Sequence, residues 1–191
     1  MLFRSDWAVR EGYVDPARVA IHGFSYGGYA ALAGAAFTPT TFACAVDHSG
    51  MANLVSWLRD IPPYWQGARA FFDARVGAVE EPQGVKLLED SSPLFHADRI
   101  VRPLLVGAGA NDVRAPVSEA EQIVEAIQKR GGRVTYVLYP DEGHGLTRAE
   151  NTLDFNARVE AFLAGCLGGR AEPLPGERVP GSSAVVKANG R

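Results

Sequence analysis

Residues 22–32 read HGFSYGGYAAL and contain the pattern Gly-x-Ser-x-Gly around Ser25. A short β-branched run, RVAIHGF at residues 18–24, precedes the serine and is typical of a buried strand. From Gly27 to about Phe37 the chain is mostly small and apolar, which predicts a helix able to pack closely on a sheet. A Gly-x-Ser-x-Gly pattern between a strand and a helix is typical of an elbow that exposes a nucleophilic serine.

The glycines of this elbow are expected to have a steric role. Gly23, Gly27 and Gly28 flank the serine, where side chains would clash with the adjacent strand and helix. The helix that follows would place the backbone N–H of Tyr26 and the positive end of the helix dipole near a developing oxyanion. We therefore expect Ser25 to be the nucleophile and Tyr26 to supply one oxyanion donor.

The rest of the chain alternates predicted strands with predicted helices. The further strands, each with its loop, are indicated at residues 42–50, 102–112 and 133–145, and the further helices at residues 1–12, 68–75, 117–127 and 155–166. This alternation indicates one α/β domain with a mostly parallel sheet over residues 1–168. Residues 169–191 are rich in Gly, Pro and Ser and are expected to form a disordered tail.

Two more side chains suited to catalysis fall directly after predicted strands. Asp112 follows the third strand and His144 follows the fourth, and ligand chemistry in parallel sheets gathers at the carboxyl ends of strands. A serine hydroxyl needs a base within hydrogen-bond reach, and that base needs a carboxylate to orient it. The chain order Ser25, Asp112, His144 is that of α/β-hydrolases. We therefore expect an α/β-hydrolase fold in which Asp112 orients His144, the general base for Ser25.

Other carboxylates compete with Asp112 for the role of the orienting acid. Asp47 ends the second predicted strand and is a geometrically feasible alternative. Asp141 and Glu142 stand too close to His144 in the sequence to reach round to its imidazole. We expect these two carboxylates to solvate or fix the loop that carries the histidine.

Other histidines compete with His144 for the role of the base. His22 lies inside the first predicted strand, where we expect a buried imidazole with satisfied hydrogen bonds. His48 and His96 have loop contexts without a paired acid after a strand. His144 stands between two glycines, which leave its ring free to approach Ser25.

Composition and charge argue against several other classes of protein. The net charge is −3 and no Lys/Arg run stands out, so neither a nucleic acid nor a membrane surface is an expected partner. The chain shows no signal-peptide pattern and no apolar run as long as a transmembrane helix, which predicts a cytoplasmic protein. Cys44 and Cys166 lie far apart in apolar surroundings, which predicts two reduced, buried thiols rather than a disulfide. They form no metal-type spacing, and no metal or cofactor is expected.

Three stretches carry the residues that define the expected site. They read GYVDPARVAIHGFSYGGYAAL, SPLFHADRIVRPLLVGAGANDVRAP and YPDEGHGL. Together they resemble the catalytic domain of the prolyl oligopeptidase family of serine peptidases, over roughly residues 1–168. The resemblance implies cleavage of short peptides or acyl-peptides through an acyl-enzyme, with Ser25, Asp112 and His144 as the catalytic triad.

The same resemblance implies a role for Arg114, which stands two residues after the expected acid. In the family this arginine binds a backbone carbonyl of the substrate, and a guanidinium at a cleft rim offers fixed donors to such an oxygen. The alternative is an exposed loop arginine. Residues 62–72 either line the pocket for the side chain before the scissile bond or simply pack beneath a long loop; their aromatic members are Tyr64, Trp65, Phe71 and Phe72.

The chain departs from the family in its length. An α/β-hydrolase sheet has about eight strands, and only four are indicated here. No segment before Ser25 corresponds to the glycine-rich turn that carries the family's second oxyanion donor. We expect the C-terminal part of a longer peptidase, with its first predicted strand at an exposed sheet edge. That edge would associate with the missing N-terminal part of the fold or with a second copy of the chain.

Two other functions stay open at this point. Ser25, Asp112 and His144 serve an esterase with small substrates as well as a peptidase, although NDVRAP and SYGGY favour the peptidase. The absence of one oxyanion donor typically costs about 10²–10³ in rate, so the chain could also be a weak or inactive fragment.

Overall fold

The computed structural model of the chain describes residues 2–188. Its strands are β1 (Ala20–Phe24), β2 (Cys44–His48), β3 (Leu104–Gly109), β4 (Val134–Tyr139) and β5 (Val185–Ala188). Its α-helices are α1 (Leu2–Arg10), α2 (Tyr26–Phe37), α3 (Leu54–Arg59), α4 (Arg69–Arg75), α5 (Pro82–Ser91), α6 (Val117–Gln128) and α7 (Ala149–Leu167). No helix within residues 2–188 is both long enough and apolar enough to cross a membrane.

The five strands form one sheet in the order β1-β2-β3-β4-β5. Strands β1 to β4 run parallel, and β5 is antiparallel to β4. The mostly parallel α/β sheet predicted from the alternation of elements is confirmed. Because parallel strands share one direction, the loops after β1, β2, β3 and β4 emerge at a single edge of the sheet.

Helices cover both faces of the sheet. One face packs against α2 and α6, whose inward positions are Ala31, Leu32, Ala35, Ala36, Ala120, Ile123, Val124 and Ile127. The small residues of α2 let its backbone approach the sheet closely, as the run after Gly27 predicts. The other face packs against α7 through Phe155 and Val159. Because both faces are covered, every residue of β3 is buried.

The tail differs from its prediction. Residues 185–188 form β5, which pairs with β4, and Ser182 and Ala184 are buried. Polar side chains of α7 hold the approach to this strand: the Val179 N–H donates to Asp154 and the Ser182 hydroxyl donates to Asn151. The prediction of a disordered tail is wrong for residues 177–188, because composition does not reveal such specific hydrogen bonds, and it stays a prediction for residues 169–176. Residues 189–191 lie outside the described part of the chain.

The cysteines also differ from their prediction. Cys44, the first residue of β2, forms a disulfide with Cys166 in the last turn of α7. The two residues are 122 positions apart, yet the packing of α7 on the sheet brings their Cα atoms to 6.3 Å. This separation lies in the usual range for a disulfide. The prediction of two reduced thiols is therefore wrong. It relied on the distance between the cysteines along the chain, which does not show how close the fold brings them.

Candidate active site

Ser25 occupies the turn between β1 and α2. Its backbone has φ 58° and ψ −119°, a strained conformation for a residue with a side chain. Its N–H donates to the His48 carbonyl at 2.9 Å, which fixes the turn against the end of β2. Helix α2 begins at the next residue, so the Tyr26 N–H belongs to the first turn, where amide groups have no acceptor within the helix. This arrangement matches the elbow predicted from the Gly-x-Ser-x-Gly pattern.

At two of the three predicted positions, Gly23 and Gly28, the absence of a side chain lets neighbouring parts of the chain pack directly against the glycine. A Cβ on Gly23 would lie 1.9 Å from the Gly27 carbonyl oxygen, and a Cβ on Gly28 would lie 2.3 Å from Asp47 Oδ1. The steric role expected for Gly27 is wrong with respect to the sheet, because a Cβ there would meet no described atom within 4 Å apart from those of its chain neighbours and the backbone of its own helix. The side-chain direction of Gly27 opens into free space, whereas those of Gly23 and Gly28 face backbone and sheet.

His144 bridges the serine and the predicted acid. Its Nε2 lies 2.8 Å from Ser25 Oγ, and its Nδ1 lies 2.8 Å from Asp112 Oδ2. An ionised carboxylate accepts only, so Nδ1 carries the proton of the neutral ring and Nε2 is left to accept from the serine hydroxyl. The three residues that chain order singled out are therefore joined by hydrogen bonds in one line.

Asp112 is held in its ionised form. Its side chain is buried, and burial alone would raise its pKa. Hydrogen bonds from His144 and from the N–H groups of Ala115 and Arg114 outweigh burial, so the pKa of Asp112 lies below its ordinary value. The negative charge then fixes the orientation of the His144 ring.

The loop that carries His144 is fixed by its neighbouring carboxylates. Buried Glu142 accepts from the Thr147 and Arg148 N–H groups and from the Asn151 amide, at 2.8–2.9 Å. These hydrogen bonds outweigh the burial of the group and hold its pKa below the ordinary value. Asp141 pairs with Arg148 at 3.0 Å. The expectation that Asp141 and Glu142 fix the loop rather than orient the histidine is confirmed.

The alternative acid has a different environment. Asp47 is fully buried behind the elbow, and its Oδ1 accepts the Gly50 N–H at 2.9 Å. Its Oδ2 has no hydrogen-bond partner. Burial raises the pKa of Asp47 to about 7. The structure therefore brings Asp112 to His144 and leaves Asp47 outside this line of hydrogen bonds.

The alternative bases also lie outside it. His22 is exposed, because β1 is at the edge of the described sheet, so the expectation of a buried histidine is wrong. His48 packs between the rings of Phe24 and Phe155, at 4.9 and 4.6 Å between centroids. Burial, reinforced by nearby His22 and His144, lowers the pKa of His48 to about 4. The fourth histidine, His96, contacts the Asp90 carbonyl at 3.1 Å.

A largely apolar cavity of about 590 Å³ opens beside Ser25 and His144. Its other lining residues are Tyr26, Tyr29, Met51, Leu54, Trp57, Trp65, Phe71, Phe72, Arg75, Val76, Leu87, Ser91 and Arg114. Three of the four aromatic residues of segment 62–72 belong to the wall, and two of them, Trp65 and Phe72, also pack against the buried residues of α3. Tyr64 does not line the cavity but packs edge-on against Trp65.

Arg114 lies at this cavity, as its expected role requires. Its guanidinium carbon is 5.9 Å from the centre of the Trp65 ring. Its carbonyl accepts the Trp57 indole N–H at 2.8 Å, so the loop after Asp112 is tied to the cavity wall. Trp57 was not among the predicted site residues, although Leu54, Trp57 and Leu58 follow the spacing of a helix face. Residues 2–188 contain no group of three His, Cys, Asp or Glu side chains arranged to hold a metal ion.

Comparison with known proteins agrees with this geometry. The sequence profile described as the prolyl oligopeptidase family matches residues 2–170. The chain belongs to the prolyl oligopeptidase family. It is 51% identical over 180 residues to dipeptidyl aminopeptidase BIII of Pseudoxanthomonas mexicana, with 94% of this chain and 26% of that protein covered. It is 44% identical over 187 residues to dipeptidyl peptidase family member 6 of Caenorhabditis elegans, covering 97% of this chain and 25% of that protein.

Solved structures of the family share the fold. A puromycin-hydrolyzing peptidase of Mycobacterium tuberculosis superimposes with a TM-score of 0.80 at 28% identity, over 90% of this chain and 25% of that chain. The α/β-hydrolase fold expected from the order of the three residues is thereby confirmed. The chain spans about a quarter of the length of the curated relatives it matches.

Proposed function

We propose that this chain carries the catalytic site of a serine peptidase, with Ser25 as nucleophile, His144 as general base and Asp112 as orienting acid. The single observation that carries the proposal is the unbroken line of hydrogen bonds from Ser25 through His144 to Asp112, both links being 2.8 Å long. An activated serine needs this combination of a base in reach and an acid behind the base. Membership of the prolyl oligopeptidase family supports the peptidase reaction.

The proposed reaction is acyl transfer. Ser25 Oγ forms a bond to the peptide carbonyl carbon while His144 Nε2 takes the hydroxyl proton. The imidazolium then gives that proton to the leaving amine nitrogen as the C–N bond breaks, which leaves an ester on Ser25. Water attacks the ester, again passing a proton to His144, and the acid product leaves as the serine regains its proton. The charge on Asp112 stabilises the imidazolium in both steps.

The first turn of α2 would stabilise the negative charge that develops on the carbonyl oxygen. The Tyr26 N–H follows the serine directly and has no acceptor within the helix, so it can donate to this oxygen. Arg114 at the cavity would donate to a second backbone carbonyl of the substrate and so hold the peptide in register. The first of these interactions strengthens during the reaction, and the second serves binding.

The proposed substrates are short peptides or acyl-peptides. The relatives named above are a dipeptidyl aminopeptidase, a dipeptidyl peptidase family member and a puromycin-hydrolyzing peptidase, and these names support an exposed peptide or amide bond as the target. The cavity beside Ser25 has walls of Trp57, Trp65 and Phe72, which favour a substrate side chain with a sizeable apolar part.

A fluorophosphonate probe tests the nucleophile directly. We expect it to label the folded chain on Ser25 and to fail with Ser25→Ala, while the control Ser118→Ala, at an exposed site on α6, keeps full labelling. A cooperatively folded sample that resists the probe would contradict the proposal and favour a non-catalytic role.

A substrate pair separates the peptidase from an esterase. We expect turnover of both a peptide anilide and a short-chain ester, because an acyl-enzyme forms from either. Hydrolysis of the ester alone would assign the site to an esterase.

A further inference from the structure

We propose that the cavity beside Ser25 holds a subsite for a substrate carboxylate, formed by Arg75, so that the site prefers a glutamyl side chain on the acyl side of the scissile bond. This inference rests on the proposed function, since the acyl side is defined by attack of Ser25. It adds a charge preference to a cavity whose walls are mainly apolar.

Arg75 is the last residue of α4 and lines the cavity together with Phe71 of the same helix. Its guanidinium carbon lies 6.0 Å from the centre of the Phe71 ring, so the cationic head rests over an aromatic part of the wall. No carboxylate of the described residues lies within 4.0 Å of it. The Arg75 charge is therefore available to a ligand in the cavity.

A second arginine on the same helix shows the contrast. Arg69 contacts Asp73 at 2.8 Å and Glu80 at 3.6 Å, and it does not line the cavity. One arginine of α4 is thus neutralised by neighbouring carboxylates, and the other faces the cavity without such a partner. Arg75 is therefore the arginine of α4 whose charge can bind an anionic group of a ligand.

The charge of the whole lining points the same way. It includes two guanidinium groups, those of Arg75 and Arg114, and no Asp or Glu side chain. A cavity lined by charge of one sign attracts the opposite charge and repels its own. Because the proposed function uses Arg114 for a backbone carbonyl, the guanidinium left for another group of the substrate is that of Arg75. The lining therefore favours an anionic group on the substrate and disfavours Lys or Arg side chains.

A glutamyl side chain fits both features of the cavity. Its methylene groups can pack against Trp57 and Phe72, and its planar carboxylate matches the fork of donors that a guanidinium presents. Glutamine has nearly the same size and shape without the charge. A Glu/Gln pair of probes therefore isolates the charge interaction from the apolar contacts.

The test uses two peptidyl diphenyl phosphonates that differ only in a Glu or Gln side chain at the phosphonate residue. Each forms a covalent adduct with an active serine, so the second-order labelling rate of the full chain, followed by intact mass, reports how well the side chain is accepted. We expect the wild type to react about two- to fivefold faster with the Glu probe, the range for a contact between exposed charged groups. Arg75→Gln should bring the Glu/Gln ratio close to one. Arg75→Lys should keep part of the preference, and the control Arg69→Gln should keep all of it.

The outcomes are separable. A Glu/Gln ratio of one or less in the wild type, or a preference that Arg75→Gln leaves in place, would overturn the subsite while fluorophosphonate labelling of Ser25 still supports the nucleophile. Absence of fluorophosphonate labelling would remove the nucleophile itself, and the subsite with it. A preference lost in Arg69→Gln as well as in Arg75→Gln would mean that α4 as a whole is disturbed, and would overturn the specific role of Arg75.

Discussion

The ring of Phe24 lies 5.0 Å from the imidazole of His144, measured between centroids and tilted by 39°. Phe24 directly precedes Ser25 in the elbow. The elbow therefore contacts His144 twice, through the Ser25 hydroxyl and through the Phe24 ring. A Cβ at Gly145 would lie 3.3 Å from Phe24 Cζ, which shows how closely the histidine loop covers this ring. Phe24 in turn packs on His48, and His48 packs on Phe155 of α7. A continuous column of rings thus backs the candidate base.

Replacing Phe24 tests whether this column positions the base. Phe24→Leu keeps an apolar side chain but removes the flat surface against His144. We expect kcat to fall about tenfold with KM little changed, because the orientation of the base affects the transition state and not the binding of the substrate. Phe95→Leu, at another exposed phenylalanine, is the matched control and should leave kcat unchanged. Steady-state kinetics with a peptide anilide would check this. A rise in KM at constant kcat would assign Phe24 to substrate binding instead.

The line Ser25–His144–Asp112 was predictable because each residue lies in the loop or turn that follows a strand of a parallel sheet. Strand ends are local features of a sequence, and parallel pairing then brings them to one edge without any further information. Glu142 was predictable for a similar reason, since its short distance in sequence to His144 limits what its side chain can reach.

Features that depend on distant contacts could not be predicted. Whether Trp65 packs under a loop or lines a cavity depends on where α4 and α5 fold over the elbow. The pairing of Cys44 with Cys166 depends on how α7 crosses the sheet. The ordered course of residues 177–188 depends on single hydrogen bonds to Asn151 and Asp154, and composition carries no information about these.

Glu119 links α6 to the cavity wall and offers a second prediction. Its buried carboxylate accepts from the Ala52 and Asn53 N–H groups at 3.0 and 2.8 Å and from the Ser56 hydroxyl, which fixes the start of α3. In Glu119→Gln the amide oxygen can replace Oε2 as acceptor for the two N–H groups, but it carries no charge, and the N–H₂ group stands opposite the Ser56 hydroxyl, which now has to accept instead of donate. We expect a loss of about 1–3 kcal/mol in the free energy of unfolding, measured by urea denaturation.

The same change should weaken binding of substrates with large apolar side chains, because α3 carries Leu54 and Trp57 of the cavity. KM should therefore rise more than kcat falls. The control is Glu121→Gln, an exposed residue on the same helix, for which we expect a stability change within about 0.5 kcal/mol of the wild type. Equal stability of the two variants would show that the Glu119 hydrogen bonds contribute little.

The disulfide gives a third prediction. Linking Cys44 to Cys166 closes a long loop and so restricts the unfolded chain, which by the chain-entropy model stabilises the fold by about 5 kcal/mol. We expect Cys166→Ser, and treatment of the wild type with a reductant, to lower the melting temperature to a similar extent. Intact mass after alkylation under native and denaturing conditions reports the thiols. Two cysteines that alkylate in the unreduced, denatured protein would contradict the disulfide.

Asp47 makes the stability of the fold depend on pH, with a sign opposite to that expected for a salt-bridged carboxylate. Burial raises its pKa to about 7; the Gly50 N–H opposes this rise in part, and the nearby charge of Glu119 adds to it. An unfolded aspartate titrates near its ordinary value of 3.8. Between these two values the folded chain holds a proton that the unfolded chain has released, so stability falls as the pH rises. Below this window both states are protonated, and above it both are ionised.

Asp47→Asn should remove this dependence. The amide keeps an acceptor for the Gly50 N–H and cannot ionise. Residue 47 of the variant therefore causes no loss of stability as the pH rises from about 4 to about 7. Over that window the wild type should lose on the order of 4 kcal/mol relative to the variant, at about 1.4 kcal/mol for each unit of pKa difference. Urea unfolding at pH 4.5, 6 and 8 would measure the difference, and other titrating groups cancel because both proteins contain them. Asp98→Asn, at an exposed site, should follow the wild-type curve. A wild-type chain that gains stability over Asp47→Asn between pH 4.5 and 8 would mean that Asp47 is ionised and paired in the folded protein.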